Sequence, residues 1–519
     1  MTIRREARLH GEEREQALAK ESKTYRKPTL DKDLDKLGYM EEATTVLGRG
    51  MVAPGLALLF VVVSAFVAAG YVTGQSGAAV TVAAVVIGAY MALNIGANDV
   101  ANNMGPAVGS RALTMMSALV IAAVCEAAGA MIAGGDVVKT ISKGIIDPAT
   151  VSESHVFIAA MMAALVSSAL WINIATWFGA PVSTTHAIVG GVMGAGIAAA
   201  GLSAVNWPTM AGIAASWVIS PLMGGVIAAA CLAFIKVFII YRQNKIAAAR
   251  RWVPVLIGIM AGVFSTYLVI KGLSRLLPLG LPSALLIGIV AGLLAWLAAR
   301  PVILRQSRGM ENRNQSLRKL FGIPLVFSAA LLSFAHGAND VANAVGPLAA
   351  IVHTVALGEV AAEVSIPFWV MAVGALGISF GLLLFGPRLI RMVGEQITRL
   401  NPMRAYCVAL SAAVTVIVAS WLGLPVSSTH IAVGAVFGVG FFREWYTDRS
   451  QRRIEYVNRK HGKKGGTTIR PMRNREEQKR RLLVRRSHFL TIIAAWVITV
   501  PVAAILAAVL YHALRAMLG

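Results

Sequence analysis

Two copies of one polar signature interrupt otherwise apolar stretches of the chain. Gly-Ala-Asn-Asp-Val-Ala-Asn occupies residues 96–102 and recurs letter for letter at residues 337–343, and each copy continues to a Gly-Pro pair. Each copy therefore places one carboxylate, Asp99 or Asp340, within an apolar span. Such a group costs about 2.5 to 3.5 kcal/mol to insert into a bilayer, so it normally faces a site or a partner.

Each of these carboxylates has an asparagine one residue before it and another three residues after it. One helical turn would set the three side chains on adjacent faces, and their hard oxygens suit Na⁺, while a carboxylate could instead carry a proton. A lone Asp could simply cap a broken helix, but duplication of the whole pattern argues against that alternative. The predicted substrate ligands here are Asp99, Asn102, Asp340 and Asn343. The candidate Na⁺ ligands are Asn98, Asp99, Asn339 and Asp340.

A second duplicated segment supplies hydroxyl groups. Pro-Val-Ser-Thr-Thr-His at residues 181–186 returns as Pro-Val-Ser-Ser-Thr-His at residues 425–430. Proline followed by hydroxyl side chains is typical of a capped helix start, and a helix N-terminus with free amides is a ready anion site. Two such ends would hold a tetrahedral oxyanion between them, although the hydroxyls could serve only as caps. The predicted substrate-binding hydroxyls are those of Ser183, Thr184, Thr185, Ser427, Ser428 and Thr429.

His186 and His430 follow the hydroxyl runs, where they could donate to the anion, carry a proton or only pack. The carboxylates and the anion would repel each other in a low dielectric unless cations or protons neutralise the carboxylates. The sequence therefore predicts that anion and cation bind together, with Na⁺ or H⁺ as the coupling ion and no other cofactor.

The composition places these motifs in a membrane. The chain has 519 residues, 57% of them hydrophobic and 14% charged, with a mean hydropathy of +0.68. Soluble domains are about half apolar and a quarter charged. The net charge of +23 comes largely from basic residues between apolar spans, including 16 Lys and Arg against 5 Asp and Glu in residues 443–486. Positive-inside topology explains this distribution, and we expect no nucleic-acid partner.

We predict an all-α polytopic membrane protein with an inverted-topology repeat, two re-entrant helical hairpins and an extra N-terminal helix. With the basic loops on the cytoplasmic side of the membrane, the N-terminus lies in the cytoplasm. The two re-entrant hairpins are then residues 156–200 and 405–441. A third echo, Trp-Val-Ile-Ser at 217–220 and Trp-Val-Ile-Thr at 496–499, supports the duplication. Inverted repeats around a mid-membrane site are typical of secondary transporters.

The sequence predicts seven segments. They are a cytoplasmic tail 1–50, an extra transmembrane helix 51–78, transport repeat 1 at 79–241, basic loops with a linking helix pair at 242–320, the first part of repeat 2 at 321–442, a basic cytoplasmic loop 443–488, and the last helix of repeat 2 at 489–519.

The paired signatures resemble those of the inorganic phosphate transporters of the PiT type, and the resemblance covers residues 80–517. It implies phosphate import by symport with Na⁺ or H⁺, substrate held by hydroxyl, Asn and Asp groups of both halves, and a homodimer. The expected location is a bacterial inner membrane. The tail 1–50 and the first helix are additions to the family pattern.

Other functions stay open at this level. The same architecture could carry sulfate or a metal-phosphate complex. An intramembrane hydrolase is disfavoured, because a catalytic triad needs only one copy. A channel is disfavoured by two gated hairpins around one site, and primary active transport by the lack of a P-loop motif. We therefore expect a carrier rather than an enzyme.

Overall fold

The computed structural model describes residues 51–147, 150–151, 153–178, 182–273, 277, 279–360, 364–396, 400–449 and 486–518. The predicted tail 1–50, most of the basic loop 443–488 and Pro181 lie outside the described residues. The chain divides into two units, Met1–Leu58 and Leu59–Gly519, and the second unit contains all of the described helices apart from the first turns of the first one.

Helices account for nearly all of the regular structure in the described residues, and one isolated β-bridge joins Ile146 to Val205. The helices are α1 Met51–Val72, α2 Ala78–Gly109, α3 Met115–Ala133, α4 Gly135–Lys139, α5 Ser154–Trp177, α6 Thr184–Ala200, α7 Trp207–Ile235, α8 Lys245–Lys271, α9 Leu281–Gln306, α10 Asn314–Leu320, α11 Gly322–Asp340, α12 Ala342–Leu357, α13 Phe368–Gln396, α14 Pro402–Trp421, α15 Ser428–Arg449 and α16 Arg486–Leu518.

Within the described part of the chain, 11 helical stretches are long and apolar enough to cross a membrane. About 20 apolar residues suffice for one crossing. Only 17% of the apolar window of α9 is buried inside the protein, compared with 78% for the stretch Gly322–Leu357. A helix that exposes apolar side chains all round belongs against lipid. The prediction of an all-α membrane protein is confirmed.

Both hydroxyl runs begin helices, as predicted. The Ser183 hydroxyl accepts a hydrogen bond from the backbone N–H of His186 at 3.1 Å, and that of Ser427 accepts from the N–H of His430 at 3.3 Å. These caps satisfy amides that the first turn of a helix leaves free. A helix therefore starts at each hydroxyl run. We call residues 182–186 tip 1 and residues 425–430 tip 2, so that each tip includes the start of the helix that follows it.

The helices on either side of tip 1 pack against each other in opposite directions. The Ser168 hydroxyl of α5 donates to the carbonyl of Ala187 in α6 at 3.0 Å, and further along α6 Gly191 packs beside the Ala164 carbonyl. α5 and α6 therefore run antiparallel. This antiparallel pair projects tip 1 away from both of its outer ends.

The second signature contains a helix break that the first lacks. The helix ends at Asp340 and α12 begins at Ala342, whereas α2 runs without a break through Asp99. At the junction the N–H of Ala344 bonds to the carbonyl of Val341 at 3.2 Å, which tightens the turn. Because the seven signature residues are identical in the two copies, the break depends on their surroundings and not on the signature itself.

The glycine of each signature permits a backbone-to-backbone contact with a helix of the other half. A Cβ at Gly96 would overlap the carbonyl oxygen of Ile378 in α13, and one at Gly337 would overlap that of Glu126 in α3. Gly381 and Gly129 complete the same two contacts from the opposite side. Small residues let membrane helices approach this closely. The two carboxylate-bearing helices are thereby fixed across the two halves.

Candidate functional site

Asp99 lies at the meeting point of the two tips and is 1% exposed. Its Oδ2 accepts a hydrogen bond from the Thr184 hydroxyl at 2.9 Å, and its Oδ1 accepts one from the Thr429 hydroxyl at 3.3 Å. Thr184 begins α6 and Thr429 lies in the first turn of α15. One carboxylate therefore collects hydroxyl groups from both halves of the chain.

The signature asparagines reach across to the opposite tips. The Asn102 amide donates to the Thr429 hydroxyl at 2.7 Å. The Asn343 amide donates to the hydroxyls of Thr184 and Thr185 at 3.3 Å each. Six of the predicted substrate residues thus belong to one hydrogen-bonded group, which we call the hydroxyl cluster: Asp99, Asn102, Thr184, Thr185, Asn343 and Thr429.

The two tips also contact each other directly. The Thr185 hydroxyl donates to the backbone carbonyl of Val426 at 3.0 Å, and the indole N–H of Trp217 donates to the carbonyl of Pro425 at 3.1 Å. Both acceptors are backbone groups of tip 2 with no helix of their own to bond within. The side chains of tip 1 and α7 thereby fix the position of tip 2.

Asp340, the second signature carboxylate, lies beside a histidine. Its Oδ2 is 2.9 Å from Nε2 of His336, which in turn lies 3.7 Å from Oδ2 of Asp99. Nδ1 of the same imidazole is 3.2 Å from Oε1 of Glu126, and that oxygen also accepts from the Asn103 amide at 2.9 Å. Each of these contacts with His336 is an ion pair when the imidazole is protonated.

We call Asp99, Glu126, His336 and Asp340 the acidic cluster. Their side chains are at most 1% exposed. Three carboxylates can carry three negative charges, and one imidazole can offset one of them. Burying charge without a counter-ion costs several kcal/mol, as an order of magnitude. The cluster therefore favours cations or protons.

Three members of the acidic cluster are close enough to hold one cation together. The ligand atoms of Asp99, His336 and Asp340 lie within 4.8 Å of one another. Oδ1 of Asp340, Oε2 of Glu126 and Oδ1 of Asn343 are buried without a hydrogen-bond partner. Buried polar atoms are normally bonded, and carboxylate and amide oxygens are the ligands that hard cations prefer. The carboxylate and amide oxygens of this set suit a hard cation, and the imidazole of His336 can join them only when it is unprotonated.

The asparagines at the −1 positions bind the arms that lead to the tips. The Asn98 amide donates to the Thr176 hydroxyl at 2.8 Å, near the end of α5. The Asn339 amide donates to the Ser420 hydroxyl at 3.0 Å and to the Leu424 carbonyl at 3.1 Å. Its oxygen accepts from the N–H of Val426 at 3.1 Å, whereas Oδ1 of Asn98 is buried without a partner. Their assignment as cation ligands stays a prediction.

The remaining predicted residues lie around the hydroxyl cluster. Nδ1 of His186 is 2.7 Å from the Ser183 hydroxyl, and its ring stacks on Trp217 at 3.7 Å and meets the ring of His430 at 4.4 Å. The Ser428 hydroxyl is buried without a hydrogen-bond partner. The two histidines thus form an aromatic contact behind the tips.

Sequence reasoning missed His336, Glu126 and Asn103. All three are polar side chains within apolar spans, and an ionisable residue in a membrane helix is a functional candidate by default. Applying that rule to residues 111–134, which contain a carboxylate at position 126, would have found Glu126. His336 directly precedes the second signature and has no counterpart before the first, where Ile95 stands.

Comparison with known proteins identifies relatives along most of the chain. The model of the phosphate transporter family matches residues 95–507. A Helicobacter pylori (strain J99) protein with a provisional phosphate permease name is 46% identical over 93% of this chain and 98% of its own. Inorganic phosphate transporter 2-1, chloroplastic, of Arabidopsis thaliana is 38% identical over 72% of this chain and 68% of its own.

A solved structure is similar as well. The structure named the sodium-dependent phosphate transporter is 34% identical to this chain and superposes on it with a TM-score of 0.73. The match covers 85% of this chain and 100% of the other.

Proposed function

The chain belongs to the phosphate transporter family, and from that membership we propose that it imports inorganic phosphate by symport with Na⁺. Family membership confirms the resemblance drawn from the duplicated signatures. The observation that carries the proposal is the double use of Asp99, which accepts hydroxyls from both tips and lies 3.7 Å from His336 of the acidic cluster.

The threonines that donate to Asp99 are also the donors that a bound phosphate needs. A hydroxyl has one proton to donate, so Asp99 and phosphate compete for the hydroxyls of Thr184 and Thr429. A cation bound at the acidic cluster weakens the hydrogen bonds that Asp99 accepts from these two hydroxyls. It also lowers the electrostatic repulsion between the carboxylates and an incoming anion. Cation binding therefore prepares the hydroxyl cluster for phosphate, which couples the two.

Phosphate fits this group of residues better than sulfate does. At neutral pH phosphate carries at least one proton and can donate to a carboxylate oxygen, whereas sulfate is only an acceptor. The amides of Asn102 and Asn343 add donors on either side of the hydroxyls. Sulfate and metal-phosphate are the competing cargoes.

Na⁺ is favoured over H⁺ by two observations. The donor set of Asp99, His336 and Asp340 is compact and rich in oxygen. The similar solved structure is named for sodium dependence. Two tips that meet at one buried site fit alternating access, in which the halves rock around a fixed substrate.

The wider arrangement is part of the same proposal. The tips are re-entrant, the two halves have inverted topology, and the segments follow the predicted boundaries. The protein forms a homodimer in a bacterial inner membrane with its N-terminus in the cytoplasm. It works as a carrier and has no enzymatic reaction.

Uptake of radiolabelled phosphate into proteoliposomes, driven by an imposed Na⁺ or pH gradient, tests the proposal. We expect a Na⁺ gradient to drive uptake that excess sulfate leaves unchanged. Asp99→Asn should reduce uptake about a hundredfold or more, because two hydrogen bonds to a charged group are weakened and the cation loses a ligand. Asp340→Asn should also reduce it strongly, while the exposed Glu359→Gln should leave it unchanged.

Three results would contradict parts of this scheme. Uptake driven only by a pH gradient would replace Na⁺ with H⁺. Strong competition by sulfate would replace the cargo. Full uptake by both Asp variants would remove the acidic cluster from the mechanism.

A further inference from the structure

A cavity lined by basic residues lies away from the hydroxyl and acidic clusters. It has a volume of about 1510 Å³ and is lined where α2 ends and where α3, α11 and α14 begin. It shares no lining residue with the two clusters. The cavity is therefore spatially separate from the two clusters, and what it binds does not depend on the proposed transport function.

The described charged side chains that line this cavity are all basic. They are Arg111, Arg318, Lys319, Arg391 and Arg404. Arg404 is half-buried and lies within electrostatic range of Arg318, a charge of its own sign. Like charges gathered around one cavity repel one another, and an anion between them relieves that repulsion. The cavity thus selects for negative charge.

The backbone around the cavity contributes partial charges of both signs. α3, α11 and α14 begin there, and a helix N-terminus carries a partial positive charge, whereas α2 and α9 end there with a partial negative one. The positive field of the cavity therefore comes from its basic side chains. Arg111 has a φ of 61°, a left-handed conformation that few residues other than glycine adopt. Its N–H bonds to the Val108 carbonyl at 2.9 Å. This turn after α2 fixes the Arg111 backbone at the cavity.

Apolar side chains make up much of the remaining lining, beside the polar Ser110, Gln306 and Asn401, which distinguishes the cavity from a plain ion site. Met115, Ile323, Val326 and Phe327 contribute to it, and Phe327 is 54% exposed. A free phosphate ion gains no favourable contact from apolar lining residues. A phospholipid needs both, because its headgroup phosphate seeks arginine and its acyl chains seek apolar side chains.

We propose that this cavity binds the phosphate headgroup of an anionic phospholipid. Arg111, Arg318 and Arg404 contact the phosphate, and the apolar residues beside Phe327 contact the start of the acyl chains. Free inorganic phosphate is the other source of the same chemistry, and its lack of apolar surface makes it the weaker ligand.

Native mass spectrometry of the purified full-length protein in detergent tests this site. The protein is titrated with phosphatidylglycerol or with phosphatidylcholine of the same acyl chains. The test variant combines Arg111→Asn, which tolerates the left-handed backbone, with Arg318→Gln. The control variant combines Arg242→Gln with Arg251→Gln, which removes two exposed arginines that do not line the cavity.

We expect the half-saturating concentration of phosphatidylglycerol to rise about thirtyfold in the test variant, since each basic residue near a membrane surface contributes about a fivefold preference. The control variant should bind it like the wild type, and phosphatidylcholine should bind weakly to all three. Equal thermal unfolding of the variants in phosphatidylcholine shows that folding is intact.

Two outcomes overturn the proposal. Unchanged phosphatidylglycerol binding in the test variant would remove the cavity as the site. Displacement of the lipid by millimolar inorganic phosphate, at constant ionic strength, would assign the cavity to free phosphate instead.

Discussion

The two copies of the signature have the same seven letters and different surroundings. In the first copy, Asp99 accepts hydroxyls from both tips on an unbroken α2. In the second, Asp340 ends α11 and lies beside His336, with its Oδ1 buried and without a hydrogen-bond partner. One carboxylate belongs mainly to the hydroxyl cluster and the other entirely to the acidic cluster.

Residues present in only one half account for this difference. Gly337 packs against the backbone of Glu126, and Gly96 packs against that of Ile378. Glu126 and Ile378 are therefore at equivalent positions of the two halves. Likewise His336 corresponds to Ile95. Duplicated residues thus build a common frame, and single-copy polar residues decide where the charge is held.

Removing the single-copy histidine should have the largest effect on this asymmetry. His336→Gln takes away the only imidazole of the acidic cluster and leaves three buried carboxylates facing one another. We expect a loss of about 3 to 5 kcal/mol in the free energy of unfolding, the cost of breaking a buried ion pair. Chemical unfolding in mixed detergent micelles measures it.

A double variant makes this test specific. Adding Glu126→Gln to His336→Gln removes one unpaired charge, so the pair should cost less than the sum of the single variants by about 0.5 to 3 kcal/mol. His353→Gln, outside the cluster, is the control and should be near neutral. Strict additivity would mean that Glu126 and His336 do not interact.

The equivalent positions Thr184 and Ser428 sharpen the comparison at intermediate size. The Thr184 hydroxyl donates to Asp99 and accepts from Asn343, whereas that of Ser428 has no hydrogen-bond partner. Thr184→Val should destabilise the protein by about 1 to 3 kcal/mol, because it removes the hydroxyl that donates to the buried Oδ2 of Asp99, while Asn343 keeps Thr185 as its acceptor. Ser428→Ala should leave stability unchanged or slightly higher. Equal losses in the two variants would show that the halves are alike at this position.

The signature glycines provide the smallest test, one in which the halves should agree. Gly96→Ala and Gly337→Ala each place a methyl group against a backbone carbonyl of the opposite half. Each should cost about 1 to 3 kcal/mol, the usual penalty of overpacking. The ratio of folded to aggregated protein on size exclusion, with the loosely surrounded Gly212→Ala as control, measures the effect. If the protein tolerates only one of the two substitutions, the glycine contacts of the two halves are not equivalent.

Much of the fold was predictable because membrane insertion leaves few choices. Backbone groups in lipid must be satisfied within a helix or a closed barrel, so apolar stretches of sufficient length predict helices directly. The helix starts at Thr184 and Ser428 followed from capping chemistry that acts within four residues. The break after Asp340 did not follow, because an identical segment around Asp99 has none.

The site was predictable to the extent that its residues were duplicated. Repetition singled out Asp99, Asn102, Thr184, Asn343 and Thr429, which the structure brings into one hydrogen-bonded group. It said nothing of His336 and Glu126, since each occurs once. Repetition also gave Asn98 and Asn339 the same weight as the others, although their amides bind the arms leading to the tips.

By itself the sequence determined that this chain is a helical membrane protein of the phosphate transporter family, with two sets of acid, amide and hydroxyl groups in apolar surroundings. Those properties depend on composition and on motifs of a few residues. Only the tertiary structure decided which group faces which, because Asp99 meets Thr429 and His336 across hundreds of residues through helix contacts that no local pattern encodes. The same packing gave the identical segments unequal partners, so Asp99 contacts the hydroxyls of both tips while Asp340 contacts His336.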